Sequence, residues 1–156
     1  MRKTLYALLF PLAILACTDK EGKTETEAEG MLEKARTLMI AGDYPAARDS
    51  ILSMRKKYPT AFGARSAGII VMDSIELLES QDSLAVMDST LQAEKTVLGQ
   101  LEQEKRRGHN AEYYKQRTKV FHLQQAFDEM AAKVKFYLRK IEIDTQKSQN
   151  ILDERQ

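Results

Sequence analysis

The chain has few of the residues that build sheets and tight turns. Its 156 residues include no tryptophan, seven glycines and three prolines. A sheet protein needs frequent turn residues between β-branched runs, and that pattern is missing here. Leu, Ala, Glu, Lys, Gln and Met, which favour helices, are frequent instead. The composition therefore predicts an all-α protein, and the length is that of about one domain.

An excess of charge of one sign is missing as well. The chain has 24 Lys and Arg against 23 Asp and Glu, and without residues 1–16 the balance is 22 to 23. A nucleic-acid-binding domain normally carries a strong positive excess. The balance therefore argues against nucleic acid as a partner.

Motifs that carry catalysis are also absent. The sequence has no nucleotide-binding loop, nucleophile elbow, zinc-protease motif or calcium loop. His109 and His122 have no second histidine or cysteine at the spacing of metal ligands. We expect His109 to be a solvated turn residue and His122 to lie at the edge of a helix seam. No pair of carboxylates stands out as an acid–base pair. We therefore predict no enzyme, no metal and no cofactor.

Long apolar runs are limited to the N-terminus. Arg2 and Lys3 precede twelve apolar residues, 5–16. This run is too short for a helix that crosses a bilayer, which takes roughly 20 residues. A basic start followed by a short apolar core is typical of a secretory signal peptide, here residues 1–16.

The end of this run resembles the lipobox of bacterial lipoproteins. The residues that carry the resemblance are Ile14, Leu15, Ala16 and Cys17, with Leu15 where a small residue is usual. The resemblance implies cleavage before Cys17 and a diacylglycerol on its thiol, and two or more acyl chains anchor a protein stably. Because Cys17 is the single cysteine, no disulfide or thiol ligand would remain. The alternative is an ordinary secretory signal with an unrelated cysteine.

Residues 17–27 are expected to be the lipidated cysteine and a flexible tether. Residues 18–27, TDKEGKTETE, contain no apolar side chain, and such a segment buries too little surface to fold alone. Thr18, rather than Asp, follows the cysteine, and in this the sequence resembles lipoproteins that are sorted to the outer membrane. Asp19 and Glu21 resemble the acidic stretch of cell-surface lipoproteins of Bacteroidetes. We expect a lipid-anchored envelope protein of the outer membrane, on its periplasmic face or at the cell surface.

Apolar spacing then predicts a pair of helices. Residues at intervals of three and four give one apolar face to a helix over about residues 28–41, which Gly42 ends. Asp43 is expected to cap a second helix, Pro45 fits its first turn, and Pro59 follows its end. Four residues of the second helix are expected to face inward: Ala47, Ile51, Leu52 and Met54.

This pair resembles one tetratricopeptide repeat, across about residues 28–61. The residues that carry the resemblance are Ala35, Leu38, Gly42, Tyr44, Ala47, Ile51 and Pro59. Lys34 and Met54 depart from the pattern, because a core leucine and a small residue are usual there, and no second copy follows 34 residues later. The resemblance implies two antiparallel helices that bind protein. Since such repeats need about three copies for stability, the pair must pack on other helices.

A third helix, over about residues 60–79, is expected to complete a tetratricopeptide-like base over residues 28–80. It is apolar on almost all sides, which is typical of a helix that is buried on more than one side. Its apolar residues are Phe62, Ile69, Ile70, Val71, Met72, Ile75, Leu77 and Leu78. Gly68 is expected to permit a close approach of a neighbouring helix. The polar residues 79–83 fit either a break or a continuous helix.

Residues 81–156 are predicted to form a long antiparallel coiled-coil-like hairpin. Its first helix has an apolar seam with a seven-residue rhythm, interrupted by Glu94: Leu84, Met87, Leu91, Leu98 and Leu101. A turn at residues 108–110 precedes the second helix, whose expected seam is Val120, Phe127, Ala131, Val134, Leu138 and Ile141. This helix is longer than the first. Its excess is expected to pack back on the base through Phe136, Leu138, Ile141 and Ile143.

Basic residues gather at the expected tip of the hairpin. They are Lys105, Arg106, Arg107, Lys115, Arg117 and Lys119. The simpler interpretation is a coiled-coil end that is kept soluble by charge. The functional interpretation is a contact for an acidic surface, such as phospholipid, lipopolysaccharide or a protein.

Together these features predict a membrane-anchored lipoprotein of a Gram-negative envelope. It would act as a non-catalytic helical protein-interaction or scaffold module. The expected partners are the membrane, through the N-terminal lipid, and a protein of the envelope. The alternative is a homo-oligomeric coiled-coil spacer of the envelope.

Overall fold

The computed structural model describes residues 10–104 and 110–153, and the side chains of residues 22–103 and 110–150. This part of the chain has four helices and no strand: α1 (Phe10–Ile40), α2 (Tyr44–Lys57), α3 (Phe62–Glu104) and α4 (Ala111–Asp153). The all-α prediction is confirmed. The chain divides into two compact units, Met1–Ile75 and Glu76–Gln156, and α3 contributes to both.

The core of the first unit is built mainly from small and medium-sized side chains. Buried residues come from α1, α2 and the start of α3: Ala28, Leu32, Ala35, Ala47, Ile51, Met54, Tyr58, Ala61, Ala64, Val71 and Ile75. Helices α1 and α2 run antiparallel, since Met31 pairs with Ser50 and Glu27 pairs with Tyr58. Full burial of each large apolar side chain contributes about 1.5–3 kcal/mol. Small residues let the helices approach, and the large ones fill the space between them.

The turn between α1 and α2 has the stop and the cap that the sequence predicts. Gly42 has a φ of 79°, its N–H donates to Met39 O at 3.1 Å, and Asp43 N–H donates to Leu38 O at 3.0 Å. These two bonds form a Schellman motif, in which glycine is favoured because φ is positive. The Asp43 side chain accepts from Ala46 N–H at 3.2 Å and so caps α2.

Gly68 was expected to permit the close approach of a neighbouring helix, and it lies at such a contact. A Cβ atom at this position would lie 3.1 Å from Met54 Cε and 3.6 Å from Ile51 Cγ2. Met54, which stands where the repeat pattern has a small residue, fits because Gly68 faces it. The departure from the repeat pattern on α2 is thus offset by a glycine on α3.

Two sequence expectations differ from the structure of the first unit. Residues 18–27, expected as a flexible tether, are helical and belong to α1. Tertiary bonds support the last part of this segment: Glu25 accepts from Ala64 N–H, and Glu27 accepts from the Tyr58 hydroxyl at 2.8 Å. Leu52, Phe62 and Ile69, expected in the core, are 54%, 73% and 46% exposed.

The second unit is an antiparallel pair formed by residues 76–104 of α3 and by α4. The pairs Glu102–Tyr113, Glu94–Lys119 and Glu76–Lys133 run in opposite order along the two helices. Asn110 caps α4 through a bond from Tyr113 N–H to Asn110 Oδ1 at 3.0 Å. Helix α3 continues without a break through residues 79–83, where neither glycine nor proline occurs.

The buried face of α4 follows heptad spacing, but not through every expected residue. Buried or half-buried residues recur at alternating steps of three and four: Tyr113, Gln116, Val120, Leu123, Phe127, Met130, Val134, Tyr137 and Ile141. Phe136 and Leu138 are 59% and 50% exposed, so the expectation that they are buried is wrong. Tyr137 lies three residues after Val134 and takes the seam position, which turns its two neighbours outward.

Candidate functional site

The residues of the lipobox-like segment belong in part to the undescribed region. Residues 1–9 lie outside the described residues, and so do the side chains of Ile14, Leu15, Ala16 and Cys17. The backbone of residues 14–17 is part of α1. Cleavage and lipidation at Cys17 therefore stay predictions from the sequence.

The repeat-packing residues meet in the core of the first unit. Ala35, Ala47 and Ile51 are fully buried, and Leu38 and Tyr44 pack against the same cluster. Gly42 forms the turn described above. Pro59 is exposed after the end of α2, and its carbonyl oxygen accepts from Arg65 Nη1. These residues hold helices together and present no reactive group.

A first groove of this unit lies between α1 and α3. Its lining residues are Glu29, Gly30, Leu32, Glu33, Arg36, Gly63, Ala64 and Ala67. Leu32 and Ala64 are buried and form its floor, while Glu29 and Glu33 stand exposed at the rim. Arg36 Nη1 lies 2.9 Å from Glu33 Oε2. The groove offers carboxylates and a small apolar floor, which suits a polypeptide segment better than a reaction.

Gly63 at the edge of this groove lies beside a helix cap. A Cβ atom at Gly63 would lie 2.6 Å from Glu25 Oε1, the atom that accepts from Ala64 N–H. The first N–H groups of a helix have no partner within it, and a carboxylate there also interacts favourably with the helix dipole. Glu25 of α1 therefore caps α3 across the groove.

A second groove lies between α2 and α3. Its lining residues are Arg55, Phe62, Arg65, Ser66 and Ile69. Phe62, Ser66 and Ile69 lie on one face of α3, at helical spacing, and all three are exposed. Phe62 and Ile69 were expected in the core, so this groove was not predicted from the sequence. The sequence did contain an indication of this groove. The third helix is apolar on two sides, and the base has too few helices to cover both sides.

A polar layer interrupts the apolar seam of the hairpin. Gln116 Nε2 donates to Glu94 Oε2 at 2.7 Å and to Glu94 O at 2.9 Å, and Lys119 Nζ lies 2.7 Å from Glu94 Oε1. The hydrogen bonds from Gln116 and then from Lys119 lower the pKa of Glu94 below its ordinary value. Glu94 is thus the interruption that the heptad pattern indicates, and its partners on α4 were not foreseen.

The predicted basic cluster is only partly placed by the structure. Lys105, Arg106, Arg107 and His109 lie outside the described residues. Lys119 of this cluster pairs with Glu94 within the hairpin. Lys115 and Arg117 are exposed, and Arg117 lines a shallow depression of α4 together with Tyr114, Thr118 and Phe121. His122, expected at the edge of the seam, is exposed and precedes the half-buried Leu123.

Metal-binding groups, membrane spans and similarity to known proteins give little further indication of function. Among the side chains that the structure describes, no group of three or more His, Cys, Asp or Glu is arranged to hold a metal ion. Over residues 10–104 and 110–153, no helix has the length and apolar content needed to span a bilayer. Known protein families, curated proteins and solved structures include no match to this chain.

Proposed function

We propose that the chain is a lipid-anchored protein of the bacterial cell envelope that binds a partner protein through its helical base, without catalysis. The binding part of this proposal depends on one observation, the open groove between α1 and α3. The anchoring part depends on Cys17 at the end of the apolar run of residues 5–16. Both parts are independent of a metal or cofactor.

The polar groups of the α1–α3 groove favour binding over chemistry. They are two glutamates and Arg36, and Arg36 is already paired with Glu33. Neither a nucleophile nor a histidine lines the groove. The exposed carboxylates suit a partner segment with basic or N–H groups, because charge complementarity guides and aligns such contacts.

The helical course of α1 links the predicted anchor to this groove. Cys17 and Glu29 belong to the same helix and are twelve residues apart. At 1.5 Å per residue this is about 18 Å along the helix axis. A lipid on Cys17 would therefore hold the groove close to the membrane, where it favours partners that are anchored or inserted there.

The anchoring part is tested by metabolic labelling with radioactive palmitate. The intact chain is expected to incorporate label and to sediment with membranes. Cys17→Ser is expected to lose the label and to leave the membrane fraction. Label that persists in the Cys17→Ser chain, or membrane sedimentation of that variant after a high-salt wash, would refute lipid anchoring at this residue.

The binding part is tested with a photoreactive amino acid at Glu33, which lines the α1–α3 groove. The same group at Lys34, which is exposed on α1 but does not line the groove, is the matched control. Irradiation of cells is expected to give a protein adduct at Glu33 and little at Lys34. Equal adducts at both positions, or none, would count against binding in this groove.

A homo-oligomeric spacer is the second candidate, and exposed apolar side chains of the second unit favour it. They are Val86 and Val97 on α3 and Phe121, Phe136 and Leu138 on α4. Pairing of hairpins between copies would cover some of them. Sedimentation over a range of concentrations separates the candidates, because a spacer must associate as concentration rises.

A further inference from the structure

We propose that the second groove, between α2 and α3, binds an acidic amphipathic helical segment of the partner protein. This inference rests on the proposed function and names the chemistry of the partner. It uses a surface other than the α1–α3 groove. Its grounds are the apolar side chains of the groove, its charge, and its place in the helical base.

Exposed apolar side chains lie close together at this groove. Phe62 and Ile69 line it from α3. Leu52 is not a lining residue but lies one turn before Arg55 on the same face of α2. All three are about half exposed or more. Large exposed aromatic residues beside arginine are typical of the centres of protein interfaces.

The charge of this surface is predominantly positive. Among the lining residues, Arg55 and Arg65 are basic and none is acidic. Over α2 and residues 62–69 of α3 there are five basic residues and one acidic residue, Asp49. Arg55, Lys56 and Lys57 form the last turn of α2. A segment that covers Phe62 and Ile69 must therefore bring carboxylates to the rim, and the flat guanidinium fork pairs well with a carboxylate.

The packing of α3 explains why this side stays open. Residues 61, 64, 68, 71 and 75 form its buried stripe, which faces the core of the first unit. Phe62, Ser66 and Ile69 form a second stripe beside it. The repeat pattern is not continued along the chain, so the sequence supplies no further repeat helix for this stripe. A partner helix carries side chains at intervals of three and four residues. One face of such a helix can contact Phe62 and Ile69, and its neighbouring positions can contact the arginines.

The test places a photoreactive amino acid at Ser66, an exposed residue of the groove, in the full chain expressed in cells. Ser53, an exposed serine of α2 outside the groove, is the matched control position. Mass spectrometry identifies the molecule and the segment that is linked. The expected adduct at Ser66 is a peptide with a net negative charge and apolar residues at helical spacing.

Charge reversal then tests the arginine contact. Arg55→Glu is expected to lower the yield of the Ser66 adduct by about tenfold. Lys56→Glu makes the same charge change on the neighbouring residue, which does not line the groove, and is expected to change the yield less than twofold. Phe62→Ala is expected to act like Arg55→Glu, whereas Ile40→Ala, another highly exposed apolar residue, is not.

Several results would overturn the inference. They are a Ser66 adduct with a lipid, an adduct with a neutral or basic segment, equal yields at Ser66 and Ser53, or an Arg55→Glu chain that links as well as Lys56→Glu. A Glu33 adduct without a Ser66 adduct would leave the proposed function standing and refute this inference alone. Loss of both adducts would refute both.

Discussion

At the scale of single residues, two glycines in helices have opposite roles. A Cβ atom on Gly30 meets nothing within 4 Å, whereas one on Gly68 meets Met54 Cε at 3.1 Å and buried Ile51 and Leu32 just beyond. Glycine inside a helix costs about 1 kcal/mol relative to alanine. Packing therefore leaves room for a side chain at Gly30, whereas the core around Gly68 does not.

The same substitution at both glycines separates packing from helix propensity. Gly30→Ala is expected to raise the free energy of unfolding by about 0.5–1 kcal/mol. Gly68→Ala is expected to fall short of that gain by about 1 kcal/mol or more, because the new methyl group crowds a filled core. Urea denaturation of the purified variants measures both values. Equal gains at the two positions would show that Gly68 has no packing role.

Glu25 supplies a second prediction at this scale. Glu25→Ala removes the acceptor for Ala64 N–H at the start of α3 and is expected to cost about 1 kcal/mol of unfolding free energy. Glu25→Gln keeps an acceptor oxygen and is expected to cost less. Glu29→Ala, on the same helix and exposed, is the control. A Glu25→Ala chain as stable as the intact chain would show that the contact between Glu25 and Ala64 does not stabilise the fold.

At the scale of helices, heptad spacing and capping residues account for much of the fold. The Gly42–Asp43 turn, the buried residues 32, 35, 47, 51 and 54, and the hairpin of α3 and α4 all follow from local pattern. The helical course of residues 18–27 does not, because its stabilising bonds reach Tyr58 and Ala64, far along the chain. For the same reason Phe62 was misplaced: periodicity shows that a helix is apolar on two sides, but not how many helices are there to cover it.

The polar layer of the hairpin predicts how this element responds to pH. In the folded chain, the pKa of Glu94 lies below its ordinary value of 4.5, because Gln116 and Lys119 donate to its carboxylate. A depressed pKa adds stability above the unfolded value, and this stability is lost as the pH falls through the folded value. Glu94→Gln is therefore expected to destabilise the hairpin at pH 7 and to differ progressively less from the intact chain below pH 4.5.

Thermal unfolding followed by circular dichroism from neutral to acidic pH measures this dependence. Asp88→Asn, an exposed carboxylate on the same helix, is the matched control and is expected to change little at any pH. A constant difference between Glu94→Gln and the intact chain across the whole range would show that the charge of Glu94 does not stabilise the hairpin.

At the scale of the whole molecule, the choice between a binding module and a self-associating spacer depends on how exposed apolar residues are distributed. Phe121 and Phe136 on α4 are fifteen residues apart, about 22 Å along the helix. Lys119, Asp128, Glu129, Lys133 and Lys135 lie before or between them. Single exposed apolar residues are normal on a protein surface, and a stable interface buries about 1,200 Å² or more.

The chain without residues 1–17 is therefore expected to sediment as a monomer, with a sedimentation coefficient that does not rise with concentration. Phe121→Glu and Phe136→Glu are expected to leave that coefficient unchanged, because the two side chains are about 22 Å apart along α4 and charged residues lie between them. Association that strengthens with concentration and is abolished by Phe121→Glu would instead favour the spacer. In that case the outer face of α4, rather than the grooves of the first unit, would be the functional surface, since pairing between copies would then use the side chains that the hairpin leaves exposed.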